Sequence, residues 1–197
     1  RLLEQSGLIR RDQSRRLHVS LPRYNRLATR VSRALVLHQV TFREVWAAAM
    51  TLETATVEAA AARAGAEDIA ALEANLERMA RTADHQAFCE ADGDFHALIA
   101  RIAGNRVLEL AREPVGILFV PTLKMIVDKL PQAAPRNIEA HRQIVDACRA
   151  HDVDMARDWM RRHISDWRRG FEIAGKSLDD PIERAFAQDL SLGGAYL

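Results

Sequence analysis

With 197 residues, 48% of them apolar, the chain can bury one sizeable core but is too short for several domains of ordinary size. No apolar run approaches the roughly 18 residues of a membrane span, so no membrane partner is expected. Cys89 and Cys148 form neither a disulfide framework nor a zinc-type pair, and a reducing, cytoplasmic setting is the expectation. The net charge of +1 conceals an asymmetry: residues 1–33 hold nine arginines against Glu4 and Asp12, a charge of +7, which leaves −6 for the remainder. A basic end on an acidic body points to nucleic acid at one end and a different partner at the other.

The first seven residues, RLLEQSG, read as a helix end closed by Gly7. Ile9, Leu17 and Val19 then flank a polar tip, Asp12-Gln13-Ser14, which suggests a short hairpin with arginines on both arms and no glycine at its tip. Pro22 breaks regular structure and places a linker at 22–26. From Leu27 onward the periodicity is helical. Thr41 is an N-cap for a helix that reaches Gly65, with Val45, Ala48/Ala49, Leu52 and Val57 on one stripe. A second long helix carries Ile69, Leu72, Leu76 and Met79, and a third, from His85, ends at Gly104-Asn105. The fourth, over residues 105–130, is the most apolar; Pro114 and Pro121 each lack a backbone donor and should kink or break it. Pro135 suits the first turn of the next helix. The last long helix follows residue 152, and PIERAFAQDL adds a turn. Six or seven helices with short joints predict an all-α antiparallel bundle.

Within DGDFHALIARIAGN, residues 92–105, Asp92 and His96 lie one turn apart on one helix face. Taken alone, they read as a hydrogen-bonded pair as readily as they read as ligands sharing a cation. His141 sits on the apolar stripe Ile138, Ile144/Val145, Cys148. His163 sits on the stripe Met155/Ala156, Trp159/Met160, Trp167. Taken singly, each reads as a satisfied core histidine. Their spacing changes that: each lies 11 residues from the joint at Asp152, so at about 1.5 Å per residue both stand roughly 16 Å from the turn, at one height in a helical hairpin. Two inward imidazoles at one level, with Asp92 and His96 on another helix, form a metal-ligand set that suits zinc and also nickel, manganese or iron. Cys89 and Cys148 share these faces but read as small core residues. His18, His38, His85 and His151 read as solvated, and Trp46, Trp159 and Trp167 as packing. There is no HExxH, no GxSxG, no Glu-x-x-His pair and no Gly-rich phosphate loop, so binding is favoured over catalysis.

The stretches D-G-D-F-H-A-L-I-A-R-I-A-G-N (92–105), A-H-R-Q-I-V-D-A-C-R-A-H-D (140–152) and A-R-D-W-M-R-R-H-I (156–164) resemble the FadR subfamily of GntR-type bacterial transcription regulators, in their helical ligand-binding FCD domain. The resemblance covers residues 27–175 and implies that Asp92, His96, His141 and His163 hold a divalent metal. It also implies that residues 1–21 are the end of a winged helix-turn-helix whose remainder precedes residue 1, that 27–178 form the effector- and metal-binding domain, and that 179–197 are a tail. Arg10, Arg11, Arg15 and Arg16 become candidate contacts to operator DNA. The implied protein is a homodimeric, metabolite-sensing regulator and not an enzyme. Its effector is an organic or sugar acid at the metal, walled by Ile117, Leu118 and Leu123. A metalloenzyme on a helical bundle and a structural dimerisation module are the rival readings. The sequence departs from the family in two places: Ala49 and Met50 stand where relatives carry an arginine before the residue matching Glu53, and the wing tip is Gln13-Ser14-Arg15. Arg101, Arg106 and Arg136 remain without a role.

Overall fold

The structure, a computed structural model, describes residues 9–12, 16–19 and 24–182. Two short strands, β1 (Ile9–Arg11) and β2 (Leu17–Val19), pair antiparallel with Ile9 opposite Val19. Asp12 closes the hairpin by accepting the Arg16 amide at 2.9 Å. The expected helix end at 1–7, the tip 13–15 and the final turn beyond residue 182 lie outside the described residues.

Seven helices follow among the described residues: α1 (Tyr24–Leu37), α2 (Phe42–Ala61), α3 (Ala66–Arg81), α4 (His85–Ala103), α5 (Arg106–Lys129), α6 (Ala133–Arg149) and α7 (Val153–Ile173). Local chemistry sets most boundaries. Thr41 caps α2 in a capping box, its amide donating to Glu44 at 2.7 Å while its Oγ1 accepts the Glu44 amide. Asp84, Asn105 and Asp152 cap α4, α5 and α7 by accepting first-turn amides. Gly104 ends α4 at φ 65°, where an added Cβ would collide with the Arg63 guanidinium.

α5 runs unbroken through Pro114 and Pro121. Each proline removes one amide only, and the two stand seven residues apart, on one face of the helix. Neighbouring contacts hold this region: Ser32 of α1 donates its hydroxyl to the Pro114 carbonyl at 3.0 Å, and Thr122 donates to the Phe119 carbonyl.

The bundle is built by α2 against α4, α5 and α7, by α4 against α3 and α5, and by the α6–α7 hairpin; α1 lies along α5. Its main core joins Phe42, Leu72, Phe95, Ile99, Leu118, Ile144, Met160 and Trp167, each large apolar side chain contributing about 1.5–3 kcal/mol by leaving water. Phe42 stacks on Phe171 at 3.5 Å. Past α7 the chain returns to the start of α2, where the Arg43 amide donates to the Leu178 carbonyl and the Arg43 guanidinium forks onto Asp179. Among the described residues no helix is long and apolar enough to cross a membrane.

Candidate metal centre

α4, α6 and α7 bring Asp92, His96, His141 and His163 together in the bundle interior. One donor atom from each lies within 4.8 Å of all the others, and all four residues are buried. The Nε2 atom of His163 stands 3.2 Å from that of His96 and 3.3 Å from that of His141. The Asp92 Oδ1 lies 3.5 Å from the His141 Nε2. Ligand atoms around a tetrahedral zinc at about 2.0–2.1 Å stand about 3.3–3.4 Å apart, so these three separations match a shared cation, and the widest donor pair, at 4.8 Å, has to close on a bound ion. The equal-height expectation for His141 and His163 is met by the α6–α7 hairpin, whose turn is closed by the Asp152 amide on the Ala147 carbonyl.

Proton counting gives a second test of fit. The Nδ1 of His96 lies 3.0 Å from a Glu53 carboxylate oxygen. If it carries the ring proton toward that carboxylate, Nε2 keeps a lone pair. His163 then faces two imidazoles with one nitrogen, and a single N–H cannot satisfy both. The Nδ1 of His141 is buried without a partner, while the ring stacks on Phe95 at 3.8 Å. A cation would engage all three Nε2 lone pairs at once.

The electrostatics favour neutral imidazoles at two positions. Burial, with the charges of His163 and His96, pushes the His141 pKa well below its ordinary value. Burial and His96 bring that of His163 down to about 3. Burial acts in the same sense on His96, but the charge and hydrogen bond of Glu53, with Asp92, outweigh it and leave its pKa raised. Burial raises the Asp92 pKa against the opposing pull of His96 and of Asn137, whose Nδ2 donates to Oδ1 at 2.9 Å.

Reading the sequence missed the pair that backs His96. Glu53 of α2 and Arg112 of α5 are each 4% exposed, and the Arg112 Nε donates to Glu53 at 2.8 Å. Burial alone would raise the Glu53 pKa, but Arg112 and His96 overcome it and hold the carboxyl at about 2. Gly116 leaves room for this guanidinium; a Cβ there would stand 2.7 Å from Nη2. The signal was present as a charged residue on a core-facing stripe in each helix, with Arg112 between Leu108 and Val115 and Glu53 between Ala49 and Val57.

The other expected residues fall as follows. Leu118 is part of the main core, and Leu123 borders a cavity between α5, α6 and α7, as Arg136 does. The small cavity beside Asp92 and His96 is walled instead by Arg112, Gly116, Phe119 and Val120. Cys89 and Cys148 lie buried outside the donor group, and burial raises the Cys148 pKa to about 11. His85 bonds Asp128 and His18 bonds Asp12, both at the surface. Trp46 and Trp167 donate to the Ile164 carbonyl and the Thr122 hydroxyl. Arg11 and Arg16 are exposed on the hairpin; the side chains of Arg10 and Arg15 are outside the described residues.

The FCD domain model matches residues 44–166, more than half of the chain and the segment that carries all four donors. Among solved structures the chain is similar to Streptococcus agalactiae GntR, with TM-score 0.60 and 21% identity over 85% of this chain and 77% of that one. It is also similar to E. coli McbR/YncC, with TM-score 0.55 and 15% identity over 89% and 77%. The Lar protein that controls the Listeria monocytogenes agr system matches with TM-score 0.57 and 11% identity over 87% and 76%. At these identities the structural likeness establishes the fold alone. Among curated proteins no sequence matches. The family match over residues 44–166 makes this chain a member of the FCD domain family, and the all-helical bundle agrees with it.

Proposed function

We propose that the protein is a homodimeric, effector-responsive transcription regulator whose helical domain holds a divalent metal, zinc first among the candidates, through Asp92, His96, His141 and His163. The observation that carries this is the convergence of one carboxylate and three imidazole donors, all buried, within 4.8 Å of one another. A metal ion bound there supplies a Lewis-acid grip on an oxygen-donor metabolite, an organic or sugar acid. The chain's own residues prepare the position. Glu53, anchored by Arg112, fixes the His96 ring; Asn137 holds Asp92; Phe95 and Ile99 keep bulk water away. The β1–β2 hairpin, with Arg10, Arg11, Arg15 and Arg16, fits the wing of a DNA-binding domain that contacts operator DNA. Effector binding shifts DNA affinity only by as much as the effector distinguishes two arrangements of the domain. The family match supports a binding protein over an enzyme.

Elemental analysis of purified variants tests the site. His141→Ala and His163→Ala should each retain less than about a tenth of the wild-type metal, since each removes a ligand. His85→Ala, half-exposed and bonded to Asp128, should retain all of it. Equal metal in all three variants removes the site.

A further inference from the structure

Two buried polar atoms beside the donor group lack a partner, and each is what the other needs. His141 has no exposed surface, and its Nδ1 makes no hydrogen bond. Asn137 is 8% exposed, gives its Nδ2 to Asp92 at 2.9 Å, and leaves Oδ1 buried without a partner. Both residues stand on α6, four positions apart, so their side chains are neighbours on one helix face. Side chains of a helix lean toward its N-terminus, and Asn137 lies on that side of His141.

A bound metal turns the first of these atoms into a donor. With Nε2 engaged on the ion, neutral His141 carries its ring proton on Nδ1. A ligating imidazole almost always gives that proton to an acceptor, which fixes the ring and strengthens the ligand. His96 already has such an acceptor in Glu53, 3.0 Å from its Nδ1. Around His141, Phe95 covers a ring face at 3.8 Å, while the Asp92 oxygen and the His163 nitrogen stand at the Nε2 end, at 3.5 and 3.3 Å. The Asn137 oxygen is left for Nδ1. We propose that Asn137 is a positioning residue of the metal centre with two arms: Nδ2 holds Asp92, and Oδ1 accepts the Nδ1 proton of His141 once the site is loaded.

The proposal rests on the metal-binding reading and adds that one side chain sets a ligand of α4 and a ligand of α6 together. A carboxamide presents a donor and an acceptor from one carbon, and both arms are needed. Leucine at 137 would leave both partners unpaired in the interior, and aspartate would set a second carboxylate against Asp92. The donor group spans up to 4.8 Å and has to close on an ion; the bond between Asn137 and His141 forms with that closure.

Zinc titration and nitrogen-15 NMR of the histidine rings test this on the purified chain. At saturating zinc, the Nδ1 proton of His141 should give a resolved signal that exchanges slowly with water. Asn137→Leu should remove that signal and weaken zinc about 10–100-fold. Asn137→Asp keeps an oxygen for His141 and loses the donor to Asp92, so it should keep the signal. A His141 signal unchanged in Asn137→Leu, or zinc affinity there within about threefold of wild type, overturns the second arm and leaves the metal centre standing. Should Asn137→Leu fail to fold, the wild type decides: a His141 Nδ1 proton that exchanges as fast as that of a solvated imidazole overturns the bond. A wild-type chain that takes up no zinc overturns the metal centre and this proposal with it.

Discussion

The two flanks of the histidine cluster are built on opposite plans. On the α2–α5 flank, buried Glu53 and Arg112 lock His96 from behind, and the space left holds about one water. On the α5–α7 flank, Asn137 is half-satisfied, the ion pair of Arg136 and Asp166 is exposed, and a cavity of about 150 Å³ reaches His163. One side is rigid and charge-compensated; the other is roomy and only partly satisfied. A binding site needs both, a frame that fixes donor atoms and an approach that a guest can use.

The most direct way to break this comparison is to strip the rigid flank. Arg112→Ala leaves the Glu53 carboxylate buried with only His96 opposite, and should cost about 3–5 kcal/mol in chemical denaturation. Glu53→Leu combined with Arg112→Met removes both charges and should recover most of that loss. The double variant should still bind metal about 10–100-fold more weakly, because His96 has lost the partner that orients it. A double variant with wild-type metal affinity would reduce the pair to a packing feature.

Acid sharpens the comparison less drastically. His141 and His163 are held neutral, the latter down to about 3, whereas in the unfolded chain they titrate near the ordinary 6.5. Below that value the unfolded state binds more protons, so their contribution to stability is present above about pH 6.5 and is lost as pH falls toward 3. His96, with its raised pKa, runs the other way: its contribution is full below 6.5 and is lost as pH rises. Glu53, held at about 2, stays ionised through this window. Two groups oppose one, and only neutral imidazoles bind metal. Melting temperature should therefore fall as pH drops below about 6.5, and metal content should fall in the same range through protonation of His96, the one imidazole whose pKa is raised; constant metal from about pH 7 to pH 5 contradicts the assignment of His96 as a ligand.

Helices and ligands were legible because both follow the helical period. The capping box at Thr41 and Glu44 fixed one start, and equal distances from Asp152 aligned His141 with His163. Arg112 and Glu53 were not legible, since no local pattern pairs two charges 59 residues apart; only the meeting of α2 and α5 shows that each neutralises the other. The interruption expected at Pro114 and Pro121 did not occur, because two lost amides on one face leave the rest of the α5 hydrogen-bond ladder in place. The cavity was invisible for the same reason as the ion pair. It depends on how α5, α6 and α7 diverge, and Arg136 and Asn137 carry no sequence signature of it.

Between the two flanks stands Trp167, and the smallest expected effect comes from its anchor. The indole borders the larger cavity, stacks on Phe119 at 3.4 Å, and Phe119 in turn walls the smaller one. Its Nε1 donates to the Thr122 hydroxyl at 3.1 Å, in the interior. Thr122→Val keeps the shape and deletes the acceptor, leaving a buried N–H unpaired, which costs about 1–3 kcal/mol. If Trp167 separates two independent compartments, metal content should stay at the wild-type level while the melting temperature falls. Loss of metal alongside the fall in melting temperature would mean that the flanks act as one chamber and that the contrast between them is only a matter of the side chains that fill it.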